Sequence, residues 1–209
     1  TMAGGSVFAQ TKVYSNTSGE IIFSFANINY LGNETSSVIR FSPVLNIQNW
    51  VNFDKTDKFG LFTGLAMRNV GFIYDKPDEP NTRMKHRTYS LGIPAGVKIG
   101  NLQKAFLFAG YELEWAFNYK EKKFVDEEKE KHVYWFTDRV PTFSHSLMAG
   151  VQLPYGATLK FKYYLTNFFN KDYTLSDGTK PYANGDYNVF YFSLNFGLLK
   201  NMDFYYNQE

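Results

Sequence analysis

Glu112 and Glu114, Lys160 and Lys162, and Arg68 are the ionisable residues whose types and spacing most invite chemistry. Two carboxylates two residues apart share one face of an extended strand, and so do two ammonium groups. If those faces look inward, the five form a buried ionic network in which Arg68 meets Glu112 or Glu114 and Lys160 or Lys162 completes the pairing. Such a network acts structurally, as a plug, because unpaired buried charge is costly. Its functional alternative is a narrow ion or small-solute path, or an anion site favoured by an excess of inward cations. Arg40, Lys98 and Lys120 add to that excess on the alternation below.

Other catalytic patterns are thin. The chain has no cysteine, no glycine-rich phosphate loop before a helix and no histidine spacing suited to a metal, so no cofactor or metal site is expected. His145 lies between Ser144 and Ser146, which point to the opposite face of a strand, while its same-face neighbours are Phe143 and Leu147. A lipid-facing histidine with a same-face serine would suit a lipid-A-modifying hydrolase or acyltransferase, and here the serine is missing. The mixed-charge run Asp126-Glu127-Glu128-Lys129-Glu130-Lys131 reads as a solvated loop. Tyr134, Trp135 and Phe136 after it are candidates for an aromatic contact surface. Turns at 176–178 and 184–186 do not meet the calcium-loop pattern.

The elements that must position these groups show in the stretch Arg87–Lys122. Tyr89, Leu91, Ile93, Ala95, Val97 and Ile99 alternate with small or polar residues, then Ala105, Leu107, Ala109, Tyr111, Leu113, Trp115, Phe117 and Tyr119 alternate with Glu112, Glu114, Gly110 and Lys120. That period of two defines a hairpin with one wholly apolar face. A tilted strand of ~9–11 residues crosses a bilayer, so the apolar face meets lipid and the polar face a narrow interior. The same alternation recurs at 21–26, 40–53, 59–68, 142–153, 158–166 and 190–198, giving eight strands. Short links at 54–58, 100–104 and 154–156 alternate with long ones at 30–37, 75–86, 121–140 and 170–186, as in an up-and-down meander with periplasmic turns and extracellular loops.

Composition agrees. The 209 residues are 44% hydrophobic and 19% aromatic, mostly Tyr and Phe. Mean hydropathy is negative, as when every second residue faces a polar lumen. A net charge of +2 gives no reason to expect nucleic acid. On the apolar face, Trp115, Phe117, Tyr119, Phe143 and Phe169 fall towards the long-loop end, and Phe53 and Phe59 towards the short-turn end, the positions of interfacial girdles. Val7-Phe8-Ala9 has the small-x-small pattern of a signal-peptide cleavage site, so residues 1–9 are expected to be a signal remnant and 10–209 a single barrel domain.

The whole pattern resembles the small eight-stranded outer-membrane barrels of the OmpA/OmpX type. The texture of Arg87–Gly110 and the Phe-rich last strand are similar to the PorT-like barrels of Bacteroidetes. The resemblance implies a Gram-negative outer membrane, neighbouring lipopolysaccharide, and a structural, adhesive or partner-binding role exerted through loops or envelope-complex subunits, without enzymatic activity. The competing readings are the lipid-A-modifying enzyme, the narrow channel and a soluble lipocalin-like carrier, which shares the eight-stranded meander.

Overall fold

The computed structural model describes residues 11–30, 32–76, 79, 81–125, 128–199 and 202–204. The expected signal remnant at 1–9 lies outside them. Twelve stretches of strand form one antiparallel sheet: β1 (Lys12–Tyr30), β2 (Asn33–Ser36), β3 (Arg40–Ser42), β4 (Ile47–Asp54), β5 (Phe59–Asp75), β6 (Thr82–Asn101), β7 (Ala105–Val125), β8 (Glu128–Trp135), β9 (Phe143–Gln152), β10 (Thr158–Tyr164), β11 (Gly185–Gly197) and β12 (Met202–Phe204). β2, β3 and β4 run along β1 as one interrupted wall, and β12 continues the wall of β11. The ring therefore has eight walls, each paired with its sequence neighbour, and it closes where β1 pairs β11 from Ser18↔Gly197 to Tyr30↔Gly185.

Among the described residues, closure pairs the walls edge to edge apart from one seam between β3 and β5, as a sheet in hydrocarbon requires, since no water is there to bond unpaired backbone groups. The side chains are oriented as the alternation demands. Leu65 is 67% exposed and Leu107 63%, while Arg68, Lys160 and Glu112 are 0% exposed. With Ile93, Phe143, Leu147, Leu159, Leu194 and Phe196 also outward, the exterior is an apolar band and the molecule is an eight-stranded transmembrane β-barrel with charged side chains filling its middle.

The long-loop end differs from the expected one. β6 and β7 have 20 and 21 residues, about twice what a bilayer needs. The links at 75–86 and 121–140 are therefore largely paired strand: β5 and β6 stay in register to Asp75↔Arg83, and β7 folds back on β8 from Val125↔Glu128 to Asn118↔Trp135. Among the described residues, only the segment between β10 and β11 is a long irregular loop at this end.

Two irregularities redirect side chains. Opposite Tyr89 and Ser90, β7 carries one extra residue, so Ser90 faces Ala116 and Tyr89 faces Asn118. A bulge of this kind inverts the facing of everything beyond it. Tyr119 and Glu121 consequently pair with inward Thr88 and His86, and Lys120 and Lys122 turn outward. The second lies between β3 and β4, where Leu45 adopts φ 62. There β3 and β5 share no ladder, and side chains supply the rungs. Ser24 Oγ donates to the Gly71 carbonyl at 2.5 Å, Arg40 Nη1 and Ser42 Oγ to the Asn69 carbonyl at 3.1 Å each, and Asn46 Oδ1 accepts from Asn69 N at 2.7 Å. Arg40 thus closes a seam in the wall and is no part of a central charge cluster.

Candidate functional site

The ionic layer at mid-height brings together the five residues expected from the sequence and adds a sixth. Arg68 projects from β5 between two carboxylates: Nη1 donates to Glu20 Oε2 at 2.6 Å and Nη2 to Glu112 Oε2 at 3.2 Å. Lys162 is ion-paired to Glu112 Oε2 at 2.8 Å and also to Glu114. Lys160 is ion-paired to Glu20 Oε1 at 2.9 Å and donates to Gln48 Oε1 at 3.2 Å. Gln48 Oε1 also accepts from Arg68 Nη2 at 2.9 Å, and Tyr164 donates to Glu114 Oε1 at 2.7 Å. All six charged side chains are at most 3% exposed.

The neighbours explain why so much charge fits here. Gly92 and Pro94 of β6 lie opposite Glu114 and Glu112, and Ser146 and Ser144 of β9 lie on their other side. Lys160 and Lys162 are flanked by Gly150 and Met148. A Cβ at Gly92 would collide with the Glu112 carboxylate, so the missing side chain is what admits the acid.

The layer is electrically balanced, with Glu20, Glu112 and Glu114 against Arg68, Lys160 and Lys162. This corrects the expected cationic surplus for three reasons. Glu20 belongs to the inward set of β1, Lys120 faces outward beyond the bulge, and Lys98 binds Asp54 at 2.5 Å with Asn52 at 2.9 Å, nearer the short-turn end. An anion site driven by unbalanced central cations is not what this layer offers.

Aromatic layers pack against it on both sides. Towards the short turns, Trp50 stacks on Phe62 with centroids 4.2 Å apart, and Phe108 meets Trp50 edge-on at 5.2 Å. Phe62 fills the space over Gly96 and Gly110, and Phe108 the space over Gly150. A cavity of about 550 Å³ opens at the short-turn mouth, lined by Tyr14, Asn52, Asp54 and Phe106, and reaches past Trp50 to Gln48, the amide that Arg68 and Lys160 share. Towards the loops, Phe72, Tyr119, Phe169, Tyr187 and Tyr191 form a buried cluster.

Tyr119 and Phe169, expected in the outer girdle, are members of that cluster, at 0% and 2% exposure. The bulge turns Tyr119 in, and the loop after β10 folds Phe169 over the mouth, stacked on Tyr182 at 4.2 Å. Trp115, Phe117, Phe143, Phe53 and Phe59 are not in the buried core and line the outside. The three aromatic loop candidates divide. Trp135 and Phe136 are exposed on the outer wall, stacked on Phe117 at 6.1 Å and Trp115 at 5.8 Å. Tyr134 turns inward, stacked on Tyr119 with the Arg139 guanidinium 4.5 Å from its ring.

The sequence reading missed His86, which it placed in a loop. It is buried in the extracellular extension of β6, with Nδ1 2.8 Å from the Tyr119 hydroxyl. That hydroxyl donates to Glu121 Oε2 at 2.8 Å, which leaves the imidazole Nδ1–H to donate to the phenol oxygen. Burial pushes the His86 pKa down to about 3, so the ring is neutral at ordinary pH. Glu121 Oε2 is 3.7 Å from the ring, but it already holds the Tyr119 proton donor, and burial dominates. His145, the other histidine of interest, is exposed on the outer wall and bonded to the Tyr111 hydroxyl, with Thr166 Oγ1 accepting from its backbone N–H at 2.9 Å. Among the described residues there is no cluster of three or more metal-binding side chains.

No family model matches this sequence, and no curated relative does. Among solved structures the chain is similar to Ail, the attachment invasion locus protein of Yersinia pestis, in complex with the heparin analogue sucrose octasulfate, with 11% identity, a TM-score of 0.39, and 90% of this chain and 99% of that one covered. The structure of Ail by itself gives 11% identity, a TM-score of 0.37, and 88% and 99% coverage. Neisserial surface protein A (NspA) gives 11%, 0.42, and 87% and 97%.

Proposed function

We propose that the protein is a Gram-negative outer-membrane surface barrel with a structural, adhesive or partner-binding role, exercised by what it holds outside the bilayer and not by passage of solute or by catalysis. The observation that carries this reading is the filled interior. A neutral ionic layer with side chains at most 3% exposed is packed between aromatic clusters above and below. Burial of this kind supports a plugged interior over an ion path, since barrels of eight strands are just wide enough to be filled by side chains. The binding surface is then the set of paired strand extensions and the loop between β10 and β11, whose Tyr173 and Tyr182 frame Arg139. The likeness to PorT-like barrels would make the partner another subunit of an envelope complex.

The test has two arms. The chain folded into planar bilayers is expected to show no steady conductance; steady single-channel currents abolished by Arg68→Ala would favour the channel reading. Cells displaying the chain trimmed between 172 and 180 are expected to keep a heat-modifiable barrel and lose either surface attachment or co-purification of an envelope partner. Loss of neither would sink the loop-borne role.

A further inference from the structure

Above the apolar band, the outer wall of β6, β7 and β8 carries a block of like charge. Lys85 pairs across the ladder with Lys122, and Lys122 with Lys131. One row nearer the band Arg87 pairs with Lys120, and one row further out Lys129 lies opposite Phe124. Strand pairing holds such neighbours about 5 Å apart on the same face, and like charges directly opposite destabilise a sheet.

The described residues of the fold do not neutralise them. Among the described residues, no carboxylate lies within ion-pair distance of Lys85, Arg87, Lys120, Lys122, Lys129 or Lys131. Among the described residues, the nearby acids are engaged elsewhere: Asp75 with Arg83, Glu79 with Lys76 and Lys123, and Glu121 with Tyr119. Glu128 and Glu130 alternate to the other face of β8. The Lys122 ammonium is pushed below its usual pKa, first by burial and then by Lys129, Arg87, Lys85 and Lys131.

The position is as specific as the charge. Arg87 and Lys120 stand over the Tyr89 ring at 5.5 and 4.9 Å, and beneath them lie Trp115, Phe117, Trp135 and Phe136. Aromatic rings under cationic tips mark the level where acyl chains give way to headgroups. A soluble polyanion would come to the loop tips. What abuts a side wall at this height is lipid.

We propose that these six cations form a docking site for the phosphate groups of lipopolysaccharide in the outer leaflet, those carried by the glucosamines of its lipid A. The proposal rests on the outer-membrane reading and gives it a named neighbour. Several cations in a patch about 10 Å across, two strand spacings, suit a headgroup with more than one phosphate better than one with a single phosphodiester.

The folded full chain in detergent would be titrated with bisphosphorylated lipid A, with the same lipid stripped of its phosphates, and with phosphatidylglycerol, with binding read by native mass spectrometry. The unsubstituted chain is expected to prefer the bisphosphorylated lipid over the stripped one by about ten-fold or more, and the preference to fall away in the variant carrying K85Q, K120Q, K122Q and K131Q, at up to about five-fold per charge removed. The double variant K85Q/K131Q serves if the quadruple one does not fold. Undiminished preference in the folded variant, whatever becomes of its binding to soluble sulfated polysaccharide, would overturn the site. Equal capture of phosphatidylglycerol would overturn its assignment to lipopolysaccharide. Failure of the outer-membrane reading has a different signature: a chain that stays soluble without detergent and shows no heat-modifiable mobility.

Discussion

Arg68 and Glu20 are 48 positions apart in the chain and meet at 2.6 Å with both side chains fully buried. They come from β5 and β1, which have only the interrupted wall of β2, β3 and β4 between them, so the bond spans that wall on its lumen side and ties the strands that flank it. The pair is worth little as attraction alone, because removing two charges from water offsets most of the gain. Its importance lies in what one partner becomes when the other is lost.

Arg68→Ala should therefore cost about 3–5 kcal/mol, since it strands Glu20 and Glu112 without their shared cation. Glu20→Gln should cost less, because Lys160 loses its carboxylate partner while Arg68 keeps Glu112. Combined, the two substitutions should destabilise by clearly less than their sum. Reversible urea unfolding in lipid vesicles measures all three. Strict additivity would mean that the bond seen here carries no coupling.

The glycines opposite large inward side chains give a second prediction. A Cβ at Gly150 would lie 2.5 Å from the Phe108 ring and 2.5 Å from the Leu159 carbonyl. Gly150→Ala should overpack that layer and cost about 1–3 kcal/mol. Phe108→Leu in the same chain should recover part of the loss and leave the backbone share. If Gly150→Ala is neutral by the same unfolding assay, the ring is not held against the wall as described.

Acid should weaken the loop end through His86. Its folded pKa of about 3 lies below the ordinary value of 6.5, so between those limits the unfolded chain binds a proton that the folded one does not. Stability from this group is complete above pH 6.5 and declines as pH falls towards 3. His86→Phe should flatten that part of the pH–stability curve while keeping ring contacts with Phe72 and Phe169. An unchanged slope in the variant would show that other groups set the acid limit.

The period-two pattern was enough to read the eight walls and their facing, because in a lipid-exposed barrel one face of every spanning strand excludes charge, and nothing else in the chain competes with that signal. It also placed Arg68, Glu112, Glu114, Lys160 and Lys162 in one inward set. Glu20 obeys the same rule, two residues before inward Ile22, and was missed because the apolar run by which β1 was recognised begins only at Ile21. Tyr119 and Lys120 could not be read correctly by counting. A single extra residue opposite Tyr89 and Ser90 exchanges their faces, and nothing in Ala116-Phe117-Asn118 marks it. His86 was hidden for a different reason: above the apolar band both faces of β6 are polar or mixed, so alternation no longer distinguishes strand from loop.

The outer wall gives the last prediction. Trp135 stacks on Phe117 and Phe136 on Trp115, so the β7–β8 hairpin is fastened to the barrel by rings that also sit where bilayer meets water. Exposed aromatic pairs contribute about 0.5–1.5 kcal/mol each beyond area, and the hairpin's inner side adds Tyr134 on Tyr119. Replacing Trp135 and Phe136 by Ser should leave the heat-modifiable barrel intact, because the ring of eight walls does not need β8. Amide exchange should quicken from 128 to 135, and tryptophan fluorescence should lose the component that brominated lipids quench at the headgroup level. If exchange there stays as slow as in β9, the inner contact of Tyr134 alone holds the hairpin, and Trp135 and Phe136 are free to meet a partner.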